Sequence, residues 1–462
     1  MASHGETLAG QAATWSSGLR LVDVPAPVVD AARNCILDLI GVSLAGAHDP
    51  LCERVAAHAT ATYAPGASAL LGRSERLSPV GAALVNGTAG HVLDFDDTSY
   101  TGIMHGSAVV FPAALAAVQH AGGDGRRLLE AFIAGSEVTY AIALLCGTGH
   151  YFSGWWSTAT FGIFGAAAAA ARGLGLDAAR TRMALAIAGV QASGLKAAFG
   201  TDAKPYMAGR AAAAGVEAAL LAAGGVTGPG DVLENSRGFI QLLNRGQGDA
   251  AALCRLGTTW RLVDPGIFFK QFPVCSAAHA ATELTHRLME RHALLAPDIR
   301  AVVCEVTPTV AISLVHDRPQ SPQEAQFSMP FAIGSILAFG SLGIANLAPH
   351  TLSEPDMRDA MEKVVMIRDD SLHDEHAPEG ARVTIRTHDG QAFTDYLGQP
   401  TGMPGNPMTA EALRTKFLRC CEAGGVAPAE AERLYRHVFS LHTAAAPLPA
   451  AAGQAASEAV PA

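Results

Sequence analysis

Apolar side chains recur every three to four positions along most of the first 265 residues. In the segment 25–44 they fall at Val28, Ala32, Ile36 and Leu39–Ile40, a spacing that places them on one face of a helix. The same spacing returns in the segments 112–119, 127–145, 164–172, 177–192 and 209–223. The chain as far as about residue 265 is therefore predicted to be a large, mostly helical domain.

The pattern changes after residue 266. Residues 301–306 are rich in valine, which favours a strand, and the runs 382–387 and 391–396 flank an Asp-Gly pair that predicts a β-hairpin. Helical spacing separates and follows these strands in the segments 278–292, 325–339, 409–421 and 427–439. Residues 267–398 are therefore predicted to be an α+β domain.

Composition narrows the class of protein. The chain has 462 residues, of which 49% are hydrophobic, so it can bury a large core divided over two or three domains. Its net charge of −10 without a basic cluster argues against nucleic-acid binding. We find no secretory signal and no stretch of roughly 20 strongly apolar residues, and the eight cysteines contain no Cys-x-x-Cys. We therefore predict a soluble cytoplasmic protein that does not bind a membrane.

The segment 91–105 is the densest cluster of chemistry-bearing side chains. It carries three aspartates and two histidines in a chain whose charged fraction is only 16%, and it follows an apolar run. A buried carboxylate is costly unless it is paired, and sites that tolerate this cost are often catalytic. The alternative is a helix end at which Asp96, Asp97 and Thr98 cap backbone amides. No metal site is predicted, because a close pair such as His-x-x-x-His is missing.

Cationic side chains occur in two further motifs. Lys204 and Arg210 flank Tyr206 at the start of an alanine-rich helix, which fits either an anion site or a solvated helix start. Lys270 stands in an apolar segment at the predicted domain boundary, where it either reaches the surface or is buried against an anion. His279, in the first turn of the next helix, is either a cap partner or a ligand contact.

These residue types together predict one chemistry. Lys204, Lys270 and Arg210 would neutralise a di- or tricarboxylate while an Asp/His pair moves a proton α to a carboxylate. The segment around Trp156 would form a pocket wall or, alternatively, part of the core. No flavin, nucleotide-phosphate or metal motif is present, so we expect no cofactor.

Five motifs resemble, in the same order, those of the MmgE/PrpD family. They are residues 89–98 with 105–107, 204–212, 227–229, 270–273 and 325–331. The resemblance spans roughly residues 10–440. It implies an enzyme acting on a small polycarboxylate without a cofactor, as 2-methylcitrate dehydratase, cis-aconitate decarboxylase and iminodisuccinate epimerase do. It also implies a homodimer.

The resemblance further implies a fold and a location for the site. The expected fold is mainly α, with a large all-helical domain formed by both chain ends, 1–266 and 399–442. A smaller α+β lid domain, 267–398, would be inserted between them, and the Ala/Pro-rich tail 443–462 is predicted to be disordered. The active site would lie between the domains.

Two departures from the family pattern bear on the reaction. Trp156 stands where family members commonly have an active-site histidine, and Cys275 stands where cis-aconitate decarboxylases resemble one another in having histidine. These departures argue against decarboxylation and indicate a bulkier, less polar pocket. A milder one, Gly106 in place of proline, loosens the backbone.

The sequence thus predicts a lyase similar to 2-methylcitrate dehydratase, which removes a proton α to a carboxylate and expels water. The alternatives are an epimerase, isomerase or decarboxylase of the same family, and a non-catalytic carboxylate-binding dimer. The expected catalytic residues are Asp94, His105, Lys204 and Lys270, and the expected substrate-binding residues are Thr98, Tyr206, Arg210, Trp156 and His279.

Overall fold

The computed structural model describes residues 6–374 and 376–449. In these residues the helices are α1 (Leu8–Gly18), α2 (Ala26–Gly46), α3 (Pro50–Thr62), α4 (Pro79–His91), α5 (Gly106–His120), α6 (Gly125–Cys146), α7 (Gly149–Phe152), α8 (Ser157–Leu174), α9 (Ala178–Gly189), α10 (Ala203–Ala223), α11 (Phe239–Leu243), α12 (Ala251–Cys254), α13 (His279–Arg291), α14 (Pro308–Ser313), α15 (Pro322–Ala325), α16 (Met329–Phe339), α17 (Pro355–Glu362), α18 (Ala410–Ala423) and α19 (Pro428–Phe439). The strands are β1 (Pro65–Ala69), β2 (Arg76–Leu77), β3 (Ile299–Val306), β4 (Val364–Arg368), β5 (Ala381–Thr387) and β6 (Ala392–Leu397).

The core of the helical part is a set of alanine-rich helices in close contact. Helix α8 packs against α5, α6 and α10, and α10 packs in turn against α4. Small residues let these axes approach: a Cβ at Gly135 of α6 would lie 2.6 Å from the backbone oxygen of Gly165 in α8. Likewise a Cβ at Gly87 of α4 would lie 2.8 Å from the Cα of Gly209 in α10. This last contact brings the end of α4 beside the beginning of α10.

The expectation of an all-helical domain was wrong. The structure is 57% helical, yet it carries two small sheets, so its content is mixed α and β although mainly helical. One sheet, the antiparallel pair β1–β2, lies within the part predicted to be all helical. The sequence of β1 contains no β-branched residue, so propensity does not reveal it. Side chains hold it instead: Ser68 Oγ donates to the backbone oxygen of Ala116, and the Gln119 side chain accepts from Ala69 N.

The second sheet has four strands in the order β4-β3-β5-β6. Strand β3 runs parallel to β4 and antiparallel to β5, and β5 and β6 form the hairpin predicted around Asp389-Gly390. Helices α13 and α16 pack on this sheet. One face of β3 is fully buried through Val302, Cys304 and Val306, as expected where helices cover a sheet.

The end of the chain returns to the helical part. Helix α18 packs on α2, and the Lys416 Nζ of α18 lies 2.7 Å from Asp38 Oδ1 of α2. The backbone oxygen of Ala444 accepts from Gly125 N at 3.0 Å and Leu448 is buried, so the ordered chain extends beyond residue 443, where the tail was predicted to begin. The rest of that tail, 450–462, lies outside the described residues. The domain boundaries themselves stay a prediction.

Helix α6 is long and apolar enough to cross a membrane by length and composition alone. However, 94% of its most apolar 18-residue window is buried inside the protein. A helix that is apolar on all sides and packed among others is typical of a protein core.

Candidate active site

A small, partly open cavity lies beside the acidic segment, residues 91–105. Its volume is about 30 Å³, and five of the residues predicted for the site line it: Asp94, Thr98, His105, Lys204 and Trp156. Three larger clefts lie elsewhere: one of about 1040 Å³ over β4 and α17, one of about 660 Å³ along α18, and one of about 640 Å³ beside Arg382 of β5. We place the candidate site at the small cavity, because the most strongly perturbed titratable groups are concentrated around it.

Asp94 is held between two buried lysines. Lys204 Nζ lies 2.5 Å from Asp94 Oδ1, and Lys270 Nζ lies 2.7 Å both from Oδ2 and from the backbone oxygen of Asp94. Burial acts to raise the pKa of Asp94, but the two ammonium groups outweigh it and hold this pKa well below its usual range. Burial acts to lower the pKa of Lys270, yet the Asp94 charge raises it. Asp94 and Lys270 therefore stay ionised.

The backbone explains how these groups meet. Helix α4 ends at His91, and Asp94 has a φ of 47°, a left-handed conformation that turns the chain. Thr98 N then donates to the backbone oxygen of Phe268 at 2.9 Å, and Phe268 N returns a bond of 2.8 Å to Thr98. This short antiparallel bridge places Lys270, two residues further on, against Asp94.

Two imidazoles share the carboxylate of Asp96. His91 Nδ1 lies 2.9 Å from Asp96 Oδ1, and His105 Nδ1 lies 3.1 Å from Oδ2 and 3.0 Å from the backbone oxygen of Asp97. His91 Nε2 accepts from Lys204 Nζ at 2.7 Å, so the proton of the His91 ring is on Nδ1. Burial lowers the pKa of His91 to about 4, and this ring is neutral.

His105 differs from His91 because it faces the cavity. It precedes α5, and its backbone N–H donates to Thr158 Oγ1 at 3.0 Å. Its Nδ1 donates to the oxygens of Asp96 and Asp97, which leaves Nε2 as the acceptor of the ring. His105 is therefore equipped to take up a proton from a group in the cavity.

His91, Asp96 and His105 also offer three ligand atoms within 4.8 Å of one another, an arrangement able to hold a metal ion. In this structure the same atoms hydrogen bond directly, and the Lys204 ammonium lies against His91. Direct hydrogen bonds thus account for the cluster.

Asp97 lies behind the cavity. Ser107 Oγ donates to Asp97 Oδ2 at 2.6 Å, while burial and then the charge of Asp38 raise the pKa of Asp97 to about 7. Its backbone oxygen orients His105, but its carboxyl group does not line the cavity.

The structure does not bring all predicted site residues together. Tyr206 is 38% exposed, and Arg210 lines a separate groove of about 130 Å³. Both lie on α10 with Lys204, but two and six residues further on, so helical periodicity turns them away from its face. His279 is fully buried against Phe268 and Phe272 and does not line the cavity.

Sequence reasoning missed a second group of polar residues. Glu379 lines the cavity and is buried, with Tyr100 OH donating to its Oε2 at 2.6 Å and Ser276 Oγ donating to its Oε1 at 3.1 Å. Burial raises the pKa of Glu379, although the two hydroxyls act against this. Glu379 follows a charged stretch, residues 368–376, between β4 and β5, but no recognised motif distinguishes it from those charges. The remaining unpredicted lining residues are Ile103, Tyr151, Phe199, Cys275, Ser313 and Phe327.

Comparison with known proteins agrees with the motifs. The model of the MmgE/PrpD N-terminal domain matches residues 10–251, and that of the MmgE/PrpD C-terminal domain matches residues 272–441. A cis-aconitate decarboxylase-like protein, oryM, of Aspergillus oryzae is 28% identical, covering 93% of this chain and 94% of its own. The cis-aconitate decarboxylases of Aspergillus terreus and Mus musculus are 28% and 29% identical, covering 87% of this chain and 87% and 84% of their own. The chain belongs to the MmgE/PrpD family.

Proposed function

We propose that this protein is a lyase that acts on a small di- or tricarboxylate by moving a proton at the carbon next to a carboxylate. The observation that carries the proposal is the position of His105. Its Nδ1 hydrogen bonds to the Asp96 carboxylate and the Asp97 backbone oxygen, and its ring lies in the same cavity lining as the buried Lys204. A positioned base and a desolvated cation are the two requirements for charge development at such a carbon.

Lys204 has the capacity to bind the reacting carboxylate. An ammonium group has three donors, and Lys204 directs two of them to Asp94 Oδ1 and His91 Nε2. The third is left for a group in the cavity. Asp94 holds Lys204 in place by a buried salt bridge, and Lys270 forms a second salt bridge to the other oxygen of the same carboxylate. Asp94 thus acts as a counter-ion and His105 as the base.

The relatives favour loss of CO₂ as the bond-breaking step. All three relatives named above are called cis-aconitate decarboxylases or decarboxylase-like. We therefore propose a carboxy-lyase first, in place of the dehydratase that the sequence alone favoured. In such a reaction the electron pair left by CO₂ has to be protonated, and His105 would first take up a proton at Nε2 and then deliver it to that carbon.

Elimination of water is the second candidate, and two lining residues favour it. Trp156 is fully buried 5.4 Å from Lys204 Nζ, and burial raises the pKa of the Cys275 thiol to about 12. Neither side chain can transfer protons as an imidazole does, although the resemblance to decarboxylases leads us to expect a histidine at each position. Among the described residues, His105 is the one imidazole that lines the cavity, and it serves either reaction.

The cavity has to enlarge before it can bind a polycarboxylate. Its volume of about 30 Å³ is far below the roughly 300–1,000 Å³ typical of ligand pockets. The wall contributed by Cys275, Ser276 and Glu379 belongs to the predicted lid, so its displacement would open the site.

An NMR assay in deuterated water tests the proposal. Cis-aconitate, 2-methylcitrate, citrate and iminodisuccinate are incubated with the protein; deuterium incorporation reports proton transfer, and product peaks distinguish loss of CO₂ from loss of water. We expect His105→Ala and Lys204→Ala each to lower kcat/KM by about 10²–10⁴-fold, whereas His58→Ala, a change at an exposed histidine, leaves it unaltered.

Unchanged turnover in His105→Ala would refute the assignment of the base. Thermal stabilisation by these ligands, without turnover or exchange, would instead support the non-catalytic carboxylate-binding protein.

A further inference from the structure

Glu379 places a carboxyl group in the lining of a cavity that we expect to bind carboxylates. We call this part of the lining the Glu379 wall. It is 3% exposed, and both of its oxygens accept from neutral hydroxyls, those of Tyr100 and Ser276. Among the described residues no lysine, arginine or histidine lies within ion-pair distance of it, in contrast to Asp94 and Asp96. Glu379 is thus a buried carboxyl group whose charge is not neutralised by a direct partner.

The hydrogen bonds of Glu379 indicate which ligand groups this wall can bind. Two hydroxyl donors directed at the two oxygens favour the ionised carboxylate and act against the burial that raises the pKa of Glu379. Each oxygen keeps a further lone pair, and Glu379 lines the cavity. An O–H or N–H of a bound molecule would satisfy that lone pair, whereas a second carboxylate would be repelled by it.

No cationic lining group pairs with Glu379, although the Lys270 ammonium, outside the lining, acts from a distance to stabilise its charge. Cys275, directly before Ser276, is a neutral thiol, because burial raises its pKa to about 12. The cationic and imidazole groups of the lining, Lys204 and His105, are already oriented by Asp94 and Asp96. The cavity therefore has one part suited to a carboxylate and another suited to a hydrogen-bond donor.

We propose that Glu379 is a specificity-determining residue that selects a carboxylate substrate bearing a hydroxyl or amino group at this wall, in preference to a further carboxylate. The inference rests on the proposed function, since it names the substrate class of the same site. It predicts that cis-aconitate, which has three carboxylates and neither of these donors, is a poor substrate here.

Binding of three ligands that share a succinate skeleton tests this inference. Malate carries a hydroxyl, aspartate an ammonium, and propane-1,2,3-tricarboxylate a third carboxylate; calorimetry gives the Kd of each. For the wild-type protein we expect malate or aspartate to bind at least about fivefold more tightly than the tricarboxylate. In Glu379→Gln, which keeps the shape but removes the charge, this ratio should fall towards one.

Glu137→Gln is the matched control. Glu137 is also a buried carboxyl group, whose pKa burial raises to about 7, but it accepts from Arg261 N and Leu262 N outside the cavity. We expect Glu137→Gln to keep the wild-type ratio of Kd values. A merely structural role of Glu379 would weaken all three ligands equally and leave the ratio intact.

Three results would overturn the inference: tighter binding of the tricarboxylate by the wild-type protein, an unchanged ratio in Glu379→Gln, or no binding of any of the three ligands. If Glu379→Gln fails to fold, the order of the three Kd values in the wild-type protein still tests the inference. Since binding requires no turnover, a catalytically inactive protein that ranks the ligands as expected would refute the proposed function and keep the inference.

Discussion

At the scale of single residues, the pKa values of neighbouring carboxyl groups are shifted in opposite directions. Asp94 and Asp96 are buried against lysines and imidazoles, which lower their pKa values. Asp97, one residue later, has a hydroxyl partner, and burial together with the Asp38 charge raises its pKa to about 7. Ionised Asp97 is therefore unfavourable in the folded protein, while ionised Asp94 is favourable.

We predict that Asp97→Asn changes the pH dependence of stability. The folded pKa of Asp97, about 7, lies above the unfolded value of about 4. Its contribution is thus fully present below pH 4 and is lost as the pH rises through 7. Relative to the wild type, the unfolding free energy of Asp97→Asn should rise by up to about 4 kcal/mol between pH 4 and pH 8.

Urea unfolding of both proteins at pH 4, 6 and 8 measures this difference, in which the similar titration of Glu137 cancels. Ser107→Ala serves as the comparison, because it keeps the carboxyl group but removes a hydrogen bond that favours its ionised form. The pKa of Asp97 should then rise further, so that the loss of stability with rising pH persists in this variant. A difference between Asp97→Asn and wild type that does not vary with pH would contradict the prediction.

The site residues that sequence reasoning could propose are those in distinct motifs, such as Asp94, His105 and Lys204. Tyr206 and Arg210 occur in a motif too, but proximity in sequence does not place helical residues on one face. Glu379 could not be proposed, because it meets Ser276 across 103 residues through a fold that no local pattern encodes.

At the scale of elements, close contact between helices sets the geometry of the site. Helix α4 ends at His91 and α10 begins just before Lys204, and the two helices touch through Gly87 and Gly209. Periodicity predicted most of the long helices, because their alanine-rich faces repeat regularly. It could not predict β1 and β2, whose pairing depends on side-chain contacts with α5.

We predict that Gly209→Ala destabilises the protein by roughly 1–3 kcal/mol. The added methyl group would collide with the backbone oxygen of Leu84 and with Thr88 Oγ1 of α4, neither of which can retreat within a packed helix. Because the collision pushes α10 away from α4, kcat/KM should fall as well.

Gly18→Ala in α1 is the matched control, since a Cβ there meets nothing within 4 Å. It should leave stability unchanged or raise it by up to about 1 kcal/mol. Denaturant unfolding compares the two variants, and equal effects would show that helix contact is not the cause.

At the scale of the whole molecule, the site depends on distant parts of the chain. Lys204 and Lys270 meet Asp94 across 110 and 176 residues. Lys416 Nζ, from α18, donates to the backbone oxygen of Phe95 at 2.8 Å. Most of the long helices and the β5–β6 hairpin could be predicted from the sequence, but these long-range pairings could not, because lysine alone does not indicate its partner.

The assembly state is a prediction at this scale. The family resemblance leads us to expect a homodimer, with a mass twice the 47.6 kDa of one chain. Size-exclusion chromatography with light scattering measures that mass directly. A monomer at micromolar concentration would contradict the expectation, and the proposed single-cavity chemistry would then have to operate without a partner.

The contact between Lys416 and Phe95 also constrains how the protein is made. These residues are 321 positions apart. A ribosome adding about 5–20 residues per second needs roughly 15–65 s to travel from one to the other. During that interval the acidic segment, residues 91–105, lacks the Lys416 ammonium, and its carboxylates have to remain hydrated. The site can therefore be completed only when synthesis is nearly finished.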